Sequence, residues 1–344
     1  MKLRQKIKIP IQKRSAHRYE HYVVVWQVLL CALIFAAAGV FVVLHLARSR
    51  NGGSAASTAG EFATDSPYDL AILNDHPVSF WAMRGGAATE ADLAGGHAGT
   101  YKGGTPISIA MPNGDAAVDL NGSSEYLTVP SSDSFSIPTT QQLTWEAWIR
   151  PGTLQWSKAS DPYGYGYVDW MGKCANYGPN CEWESRMYAS ANSQNRYNRL
   201  SAYVFNPSGG LGAAADWQPK QSLLQAGQWL YVVGEYQTQT QPKGCNGPQI
   251  GGINIWINGV EWNQSYHLQT GCMSQYGIMP AAGNSPLTIG TMAFDTWFPG
   301  GIGKVALYNY LLSQAQINAH FSAMTGAQPS GSCATSCTIP VPTP

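Results

Sequence analysis

The residues best equipped for recognition chemistry lie in one stretch, Trp156–Cys181, which reads WSKASDPYGYGYVDWMGKCANYGPNC. Alternation of Tyr with Gly places aromatic rings on a permissive backbone. Such rings offer apolar faces to sugar C–H groups and hydroxyls for hydrogen bonds, and neighbouring carboxylates accept from sugar hydroxyls. The predicted ligand-binding set is therefore Trp156, Asp161, Tyr163, Tyr165, Tyr167, Asp169 and Trp170, carried on an exposed insertion between core strands. The competing reading packs Tyr163–Tyr167 down as a lid. A second aromatic cluster, Phe294-Asp295-Thr296-Trp297-Phe298, reads better as a buried bulge.

Catalytic constellations are scarcer. Retaining glycoside hydrolysis needs two carboxylates about 5–5.5 Å apart, and acids two residues apart on one strand face come near that spacing. Glu182-Trp183-Glu184 places two acids in this way beside a tryptophan, but such a free-standing pair is expected on a solvated strand edge. Glu90-Ala91-Asp92 falls in Gly-rich loop sequence. There is no Gly-x-Ser-x-Gly, and His76, His97, His267 and His320 occur in unrelated contexts, so no nucleophilic triad is predicted. His320 falls on a helix, as a surface or packing residue. No catalytic residue is assigned.

The N-terminus sets the compartment. Residues 1–21 carry seven Lys or Arg against one acid, and Tyr22–Leu46 is almost wholly apolar. At about 1.5 Å per helical residue, that run spans a hydrocarbon core of about 30 Å. It is longer than the h-region of a cleavable signal peptide and ends in Arg48-Ser49-Arg50, which predicts an uncleaved signal anchor. The basic cluster points the N-terminus to the cytoplasm, leaving the remainder outside the cell. Beyond residue 50 there are 11 Lys plus Arg against 19 Asp plus Glu, a net charge of −8. No basic patch remains to hold phosphates, so nucleic acid is not an expected partner.

Six of the seven cysteines lie on the expected outer side, an even number suited to disulfides. In INIWINGVEW, Asn258-Gly259 signals a type I′ hairpin that pairs Ile257 with Val260 and Ile255 with Trp262. Cys245 and Cys272 are equidistant from that turn, which proposes them as a pair; Cys174 with Cys181 and Cys333 with Cys337 are the local remaining pairs. A zinc site has the wrong His and Cys spacing.

Five β-type runs end in Gly, Pro or Asn-Gly: AVDLNGSSEYLTVP, LTWEAWIRP, GQWLYVVGEY, INIWINGVEW and SPLTIG, followed by GIGKVALYNYLLSQAQINAHF. In LTWEAWIRP, Leu143, Trp145, Ala147 and Ile149 share one face, and Thr144, Glu146, Trp148 and Arg150 the other. Both faces of GQWLYVVGEY carry apolar residues, which predicts a strand covered on both sides. Ser313 and Gln316 form a capping box, with Leu312 and Ile317 at the staple positions of one short helix.

This succession, with the opening HPVSFWAM…GGHAGTYKGG, resembles the laminin-G-like, concanavalin A-like lectin-glucanase jelly-roll domains of bacterial membrane-anchored surface proteins. The resemblance implies an all-β, two-sheet antiparallel jelly-roll sandwich with one short C-terminal helix, preceded here by a single transmembrane helix. Laminarinase-type enzymes on this fold use Glu-x-Asp-x-x-Glu, which this chain lacks. Calcium is a possible cofactor of such domains, and Asn121, Glu125 and Asp295 are the matching positions. Where relatives read Ile-Asp-Glu-Val, however, this chain has Ile302-Gly303-Lys304-Val305, so the metal is left open.

The expected organisation is a basic cytoplasmic segment (1–21), a transmembrane anchor (22–46), a flexible stalk (47–67), the sandwich (68–326) and a Pro/Ser/Thr-rich tail (327–344). The expected function is non-catalytic binding of a carbohydrate or glycosylated surface outside the cell. A protein-binding adhesion or scaffold module, and a polysaccharide hydrolase or lyase, are the alternatives.

Overall fold

The structure is a computed structural model that describes residues 66–156, 166–174, 180–192, 194–219, 224–238, 252–262, 278–292 and 296–329. All of them belong to one unit, Ala63–Pro344. The expected basic segment, membrane anchor and tail cysteines, together with Cys245 and Cys272, lie outside the described residues. Among the described residues no helix is long and apolar enough to cross a membrane.

In chain order the strands are β1 (Ser79–Trp81), β2 (Thr89–Glu90), β3 (Gly99–Lys102), β4 (Ile107–Ala110), β5 (Ala116–Asn121), β6 (Tyr126–Val129), β7 (Gln142–Pro151), β8 (Tyr167–Lys173) and β9 (Trp183–Tyr188). They continue as β10 (Leu200–Phe205), β11 (Leu211–Trp217), β12 (Leu230–Gln237), β13 (Gly252–Ile257), β14 (Val260–Trp262), β15 (Leu287–Ile289), β16 (Thr291–Met292), β17 (Thr296–Trp297) and β18 (Pro299–Tyr308). Helices are α1 (Pro67–Asn74), α2 (Ile137–Thr140) and α3 (Gln314–Thr325). One sheet runs β14-β13-β12-β7-β18-β5-β4, with β1 also on β18; the second runs β11-β10-β9-β8-β15-β6-β3-β2. The result is an antiparallel two-sheet sandwich, as the family resemblance implies.

The core between the sheets follows from period-two patterning. Leu143, Trp145, Ala147 and Ile149 of β7 all enter it, as do Leu230, Val232 and Tyr236 of β12. Trp145 stacks on Trp183 of the facing sheet (centroids 4.9 Å apart) and donates to Ser185 Oγ at 2.8 Å. Gly234 lies opposite Trp145 in the register, and a Cβ there would collide with the indole ring. A strand glycine here makes room for a large aromatic.

The outer face of the first sheet is covered by α1 and α3. Trp148, Tyr231 and Val233 pack there with Tyr68, Ile317 and Phe321, so β12 is buried on both faces, as its sequence predicts. Helix α3 opens with the expected box, Ser313 capping Gln316 and Gln316 returning to the Ser313 backbone. Leu312 and Ile317 are both buried in that layer. His320 is not at the surface: it lies fully buried between Glu146 (3.1 Å) and Asp75 (2.9 Å), and Tyr308 donates to the other Glu146 oxygen at 2.7 Å. Burial opposes its charge, but the two carboxylates outweigh this and raise its pKa. Helix α1 has no counterpart in the predicted elements; it begins at Pro67, beside the expected start of the sandwich. Ser66 caps it, and Asp69 fastens it to Lys304 and Arg84. Lys304 also meets Asp115 at 2.8 Å, so it serves as a buried structural cation.

Glu235 of β12 is 3% exposed and accepts from Trp256 Nε1 at 2.7 Å. Desolvation pushes its carboxyl from 4.5 up to about 7. Between those values the folded chain retains a proton that the unfolded chain has released, so stability falls as pH rises through the window. The full penalty, on the order of 3 kcal/mol, applies above pH 7. Glu235→Gln is therefore expected to raise Tm at pH 8 and to leave it unchanged below the unfolded pKa. Thermal melts of both proteins at pH 4 and pH 8 check this; equal melting at pH 8 refutes it.

Candidate functional site

The insertion expected between core strands is in part a core strand itself. β8 begins at Tyr167, and its residues through Lys173 are all buried. Its register on β9 shifts between Asp169 and Met171. Such a bulge turns two successive side chains the same way, and Trp170 and Met171 both enter the core. Trp170 is thus withdrawn from any exposed aromatic platform. Trp156, 8% exposed and 6.3 Å from the Phe298 ring, is withdrawn likewise. Asp161, Tyr163 and Tyr165 lie outside the described residues. The expected Cys174–Cys181 disulfide is present.

Tyr167 and Asp169 point the other way, onto the outer face of the second sheet. There the register places Asp169, Arg186, Ser201 and Asp216 side by side across four strands, β8 to β11. Glu184 and Tyr203 pair one step along. Arg186 joins the row: its Nη2 lies 2.8 Å from Glu184, its Nε donates to Asp169 Oδ1 at 2.5 Å, and its guanidinium sits 4.1 Å from the Tyr167 ring centroid. Tyr188 and Tyr203 hydroxyls meet at 3.1 Å, and Ser201 donates to Asp216 at 2.5 Å. Burial works against the Arg186 charge, but Asp169 and Glu184 outweigh it and its pKa is raised. Burial, with Tyr188 and Asp216 nearby, raises the Tyr203 pKa well above the usual phenol value, so it remains a donor.

Glu182 and Glu184 are both buried rather than on a solvated edge. Glu182 pairs with Lys173 at 2.6 Å and accepts from the Ile137 backbone at 3.0 Å, a structural role. Glu184 and Asp169 share a single arginine.

The network reaches solvent through the loop between β9 and β10. Arg196 Nη1 donates to Tyr188 Oη at 3.1 Å, and Arg199 donates to Gln218 Oε1 at 2.6 Å. Gln218 in turn donates to the Asn195 carbonyl at 3.0 Å. Asn192 Oδ1 accepts from the backbone of residues 194 and 196, which fixes the turn. Asn195 and Asn198 take positive φ, 60° and 55°, a conformation amide side chains tolerate. Asn195 is exposed, and Arg196, Tyr197 and Gln218 are half-buried. An accessible amide, guanidinium, phenol and carboxamide therefore stand on a rigid buried foundation, a set suited to hydroxyl-rich ligands.

The sequence reading missed Arg186, Tyr188, Ser201, Tyr203 and Asp216. The signal was present as alternation within each strand: 184, 186 and 188 on one, 201 and 203 on the next, and 216 on the third, set among mostly apolar neighbours. For the calcium expectation, Asn121 Oδ1 accepts from the backbone N–H groups of Ser123, Ser124 and Glu125, and Glu125 accepts from the Asn121 backbone. These oxygens close a turn and do not fit a cation; Asp295 lies outside the described residues.

The antiparallel two-sheet sandwich is a lectin-like jelly-roll fold. The chain belongs to the Laminin_G_3 family, the concanavalin A-like lectin/glucanases superfamily, whose family profile matches residues 121–318. No match to a curated protein was found. Among solved structures, the chain is similar to the binding domain of botulinum neurotoxin DC in complex with SialylT, with 14% identity and a TM-score of 0.49, covering 73% of this chain and 52% of that one. It is also similar to domain 4 of AbnA, an extracellular arabinanase from Geobacillus stearothermophilus in complex with arabinotriose. There the identity is 15% and the TM-score 0.45, over 71% of this chain and 97% of that one. The chain spans about half the length of the neurotoxin domains it matches.

Proposed function

We propose that this chain is a membrane-anchored extracellular module that binds a carbohydrate or glycoconjugate, with no glycosidase chemistry at the face described. Residues 22–46 hold it in the membrane, and the sandwich stands outside the cell. The observation that carries the binding assignment is the Asp169–Arg186–Ser201–Asp216 row, continued to solvent by Asn195, Arg196, Tyr197 and Gln218. Buried charge is costly, and orienting groups for binding is one use that offsets the cost. At its solvent edge Asn195, Arg196, Tyr197 and Gln218 offer donors and acceptors that match sugar hydroxyls. The Cys174–Cys181 disulfide supports an oxidising compartment.

The test is a glycan array probed with the full chain in detergent micelles. Retention of at least one saccharide class is expected. Capture of proteins alone, with no saccharide retained, would favour the adhesion reading instead.

A further inference from the structure

A second polar constellation lies away from the β8–β11 face, where the β2–β3 loop meets the turn after β6. Asp92 and His97 of the loop meet Ser132, 35 positions beyond His97. His97 Nδ1 is 3.2 Å from Asp92 Oδ2, and His97 Nε2 is 3.2 Å from Ser132 Oγ. The imidazole side chain is 28% exposed, whereas the Asp92 side chain is fully buried.

The tautomer follows from the neighbours. Ser79 commits its hydroxyl proton to the Val78 carbonyl at 2.8 Å, so its oxygen, 2.9 Å from His97 Nδ1, acts there as acceptor. Asp92 Oδ2 is a second acceptor at the same nitrogen. Nδ1 therefore carries the ring proton and Nε2 presents its lone pair to Ser132. Asp92 is itself fixed by backbone N–H groups of Phe80, Ala94, Gly95 and His97 at 2.8–3.0 Å. Although burial opposes it, those bonds lower the Asp92 pKa and keep it ionised. Below the imidazole, the Phe135 ring packs edge-on at 4.8 Å, and Trp81 Nε1 donates to the His97 carbonyl at 2.8 Å. The base is thus held in both orientation and tautomer, as general-base catalysis requires.

We propose that Ser132, His97 and Asp92 form an esterolytic triad acting on accessible carboxylic esters. Ser132 Oγ attacks the ester carbonyl carbon as its proton passes to His97 Nε2. The C–O bond to the alcohol breaks, and the alcohol leaves with that proton. Water then gives a proton to His97 and its oxygen to the acyl carbon; the acid is released and Ser132 is restored. Asp92 touches no substrate and is a positioning residue. Ser134 Oγ lies 2.7 Å from Ser132 Oγ, and the Ser134 N–H donates to that oxygen at 3.3 Å.

The experiment is labelling of the full chain with a fluorophosphonate, which transfers its phosphonyl group to an activated serine and loses fluoride. Peptide mapping is expected to place the label on Ser132. His97→Gln, which keeps a polar group of similar reach, is expected to slow labelling about a hundredfold, within the range of general-base contributions. Ser132→Ala removes the label, and Asp92→Asn slows it when assayed below that variant's own melting temperature, which falls because buried N–H donors lose an acceptor. Saccharide binding is read in parallel, because the β8–β11 assignment and the triad stand independently. Absence of label on Ser132 in the folded wild type overturns the proposal, and so does equal labelling of folded His97→Gln.

Discussion

Arg186→Met is expected to destabilise the sandwich by about 3–5 kcal/mol, the usual cost of leaving a buried charge without its partner. Methionine matches the length of the aliphatic stem but leaves Asp169 and Glu184, both fully buried, facing each other without the cation. It also removes the guanidinium that lies over Tyr167 and Tyr203. Urea denaturation at pH 7 gives the change directly. Part of the loss should be recovered near pH 4, where the stranded carboxylates can take up protons. A variant as stable as wild type at pH 7 would show that the row is not held by this arginine. Arg186→Lys is expected to fall between the two, because one ammonium lacks the forked donors that reach both acids.

The second large effect is expected at Trp148, on the opposite side of the molecule. Its indole is fully buried, stacked 5.2 Å from Tyr231 and 5.9 Å from Phe321, and it donates to Tyr68 Oη at 3.1 Å. One residue thus joins β7, β12, α1 and α3. Trp148→Ala should cost about 3–5 kcal/mol, the range for deleting a large aromatic from a core. Loosening of α3 should appear as faster amide exchange in residues 314–325 than in β7. Uniform loss of protection across both would mean that the helix and the sheet unfold as one.

Features governed by local rules were legible in the sequence. The capping box at Ser313 and Gln316 and the hairpin register around Asn258-Gly259 occur as read, with Ile255 opposite Trp262 and Ile257 opposite Val260. Each depends on residues a few positions apart, whose geometry is set by turn and cap chemistry. The two faces of β7 were equally legible, because period-two burial is written in successive residues.

What escaped depends on long-range register. Tyr167 and Asp169 join the polar row, but nothing local says that β8 lies beside β9, or that a bulge sends Trp170 into the core. The stretch Tyr163–Tyr167 looks like a loop because Gly alternates with Tyr, yet its last residue opens a strand. Glu182 and Glu184 look like solvated acids because their cations, Lys173 and Arg186, can be assigned only once β8 and β9 are paired. His97 and Ser132 stand 35 positions apart and meet only through the packing of the β2–β3 loop on the turn after β6.

The account rests on the face formed by β8 to β11 and its solvent edge being where ligand is held. Equilibrium binding of the array-selected saccharide to wild type and to the Arg196→Ala/Tyr197→Ala double variant is the most direct measurement. Both side chains are half-buried rim groups, so the fold should persist, with a melting temperature lowered only by loss of the Arg196–Tyr188 contact. The account predicts affinity at least about tenfold weaker in the variant, equal to about 1.4 kcal/mol. Equal affinity in a folded variant would place the ligand elsewhere on the sandwich and contradict the assignment.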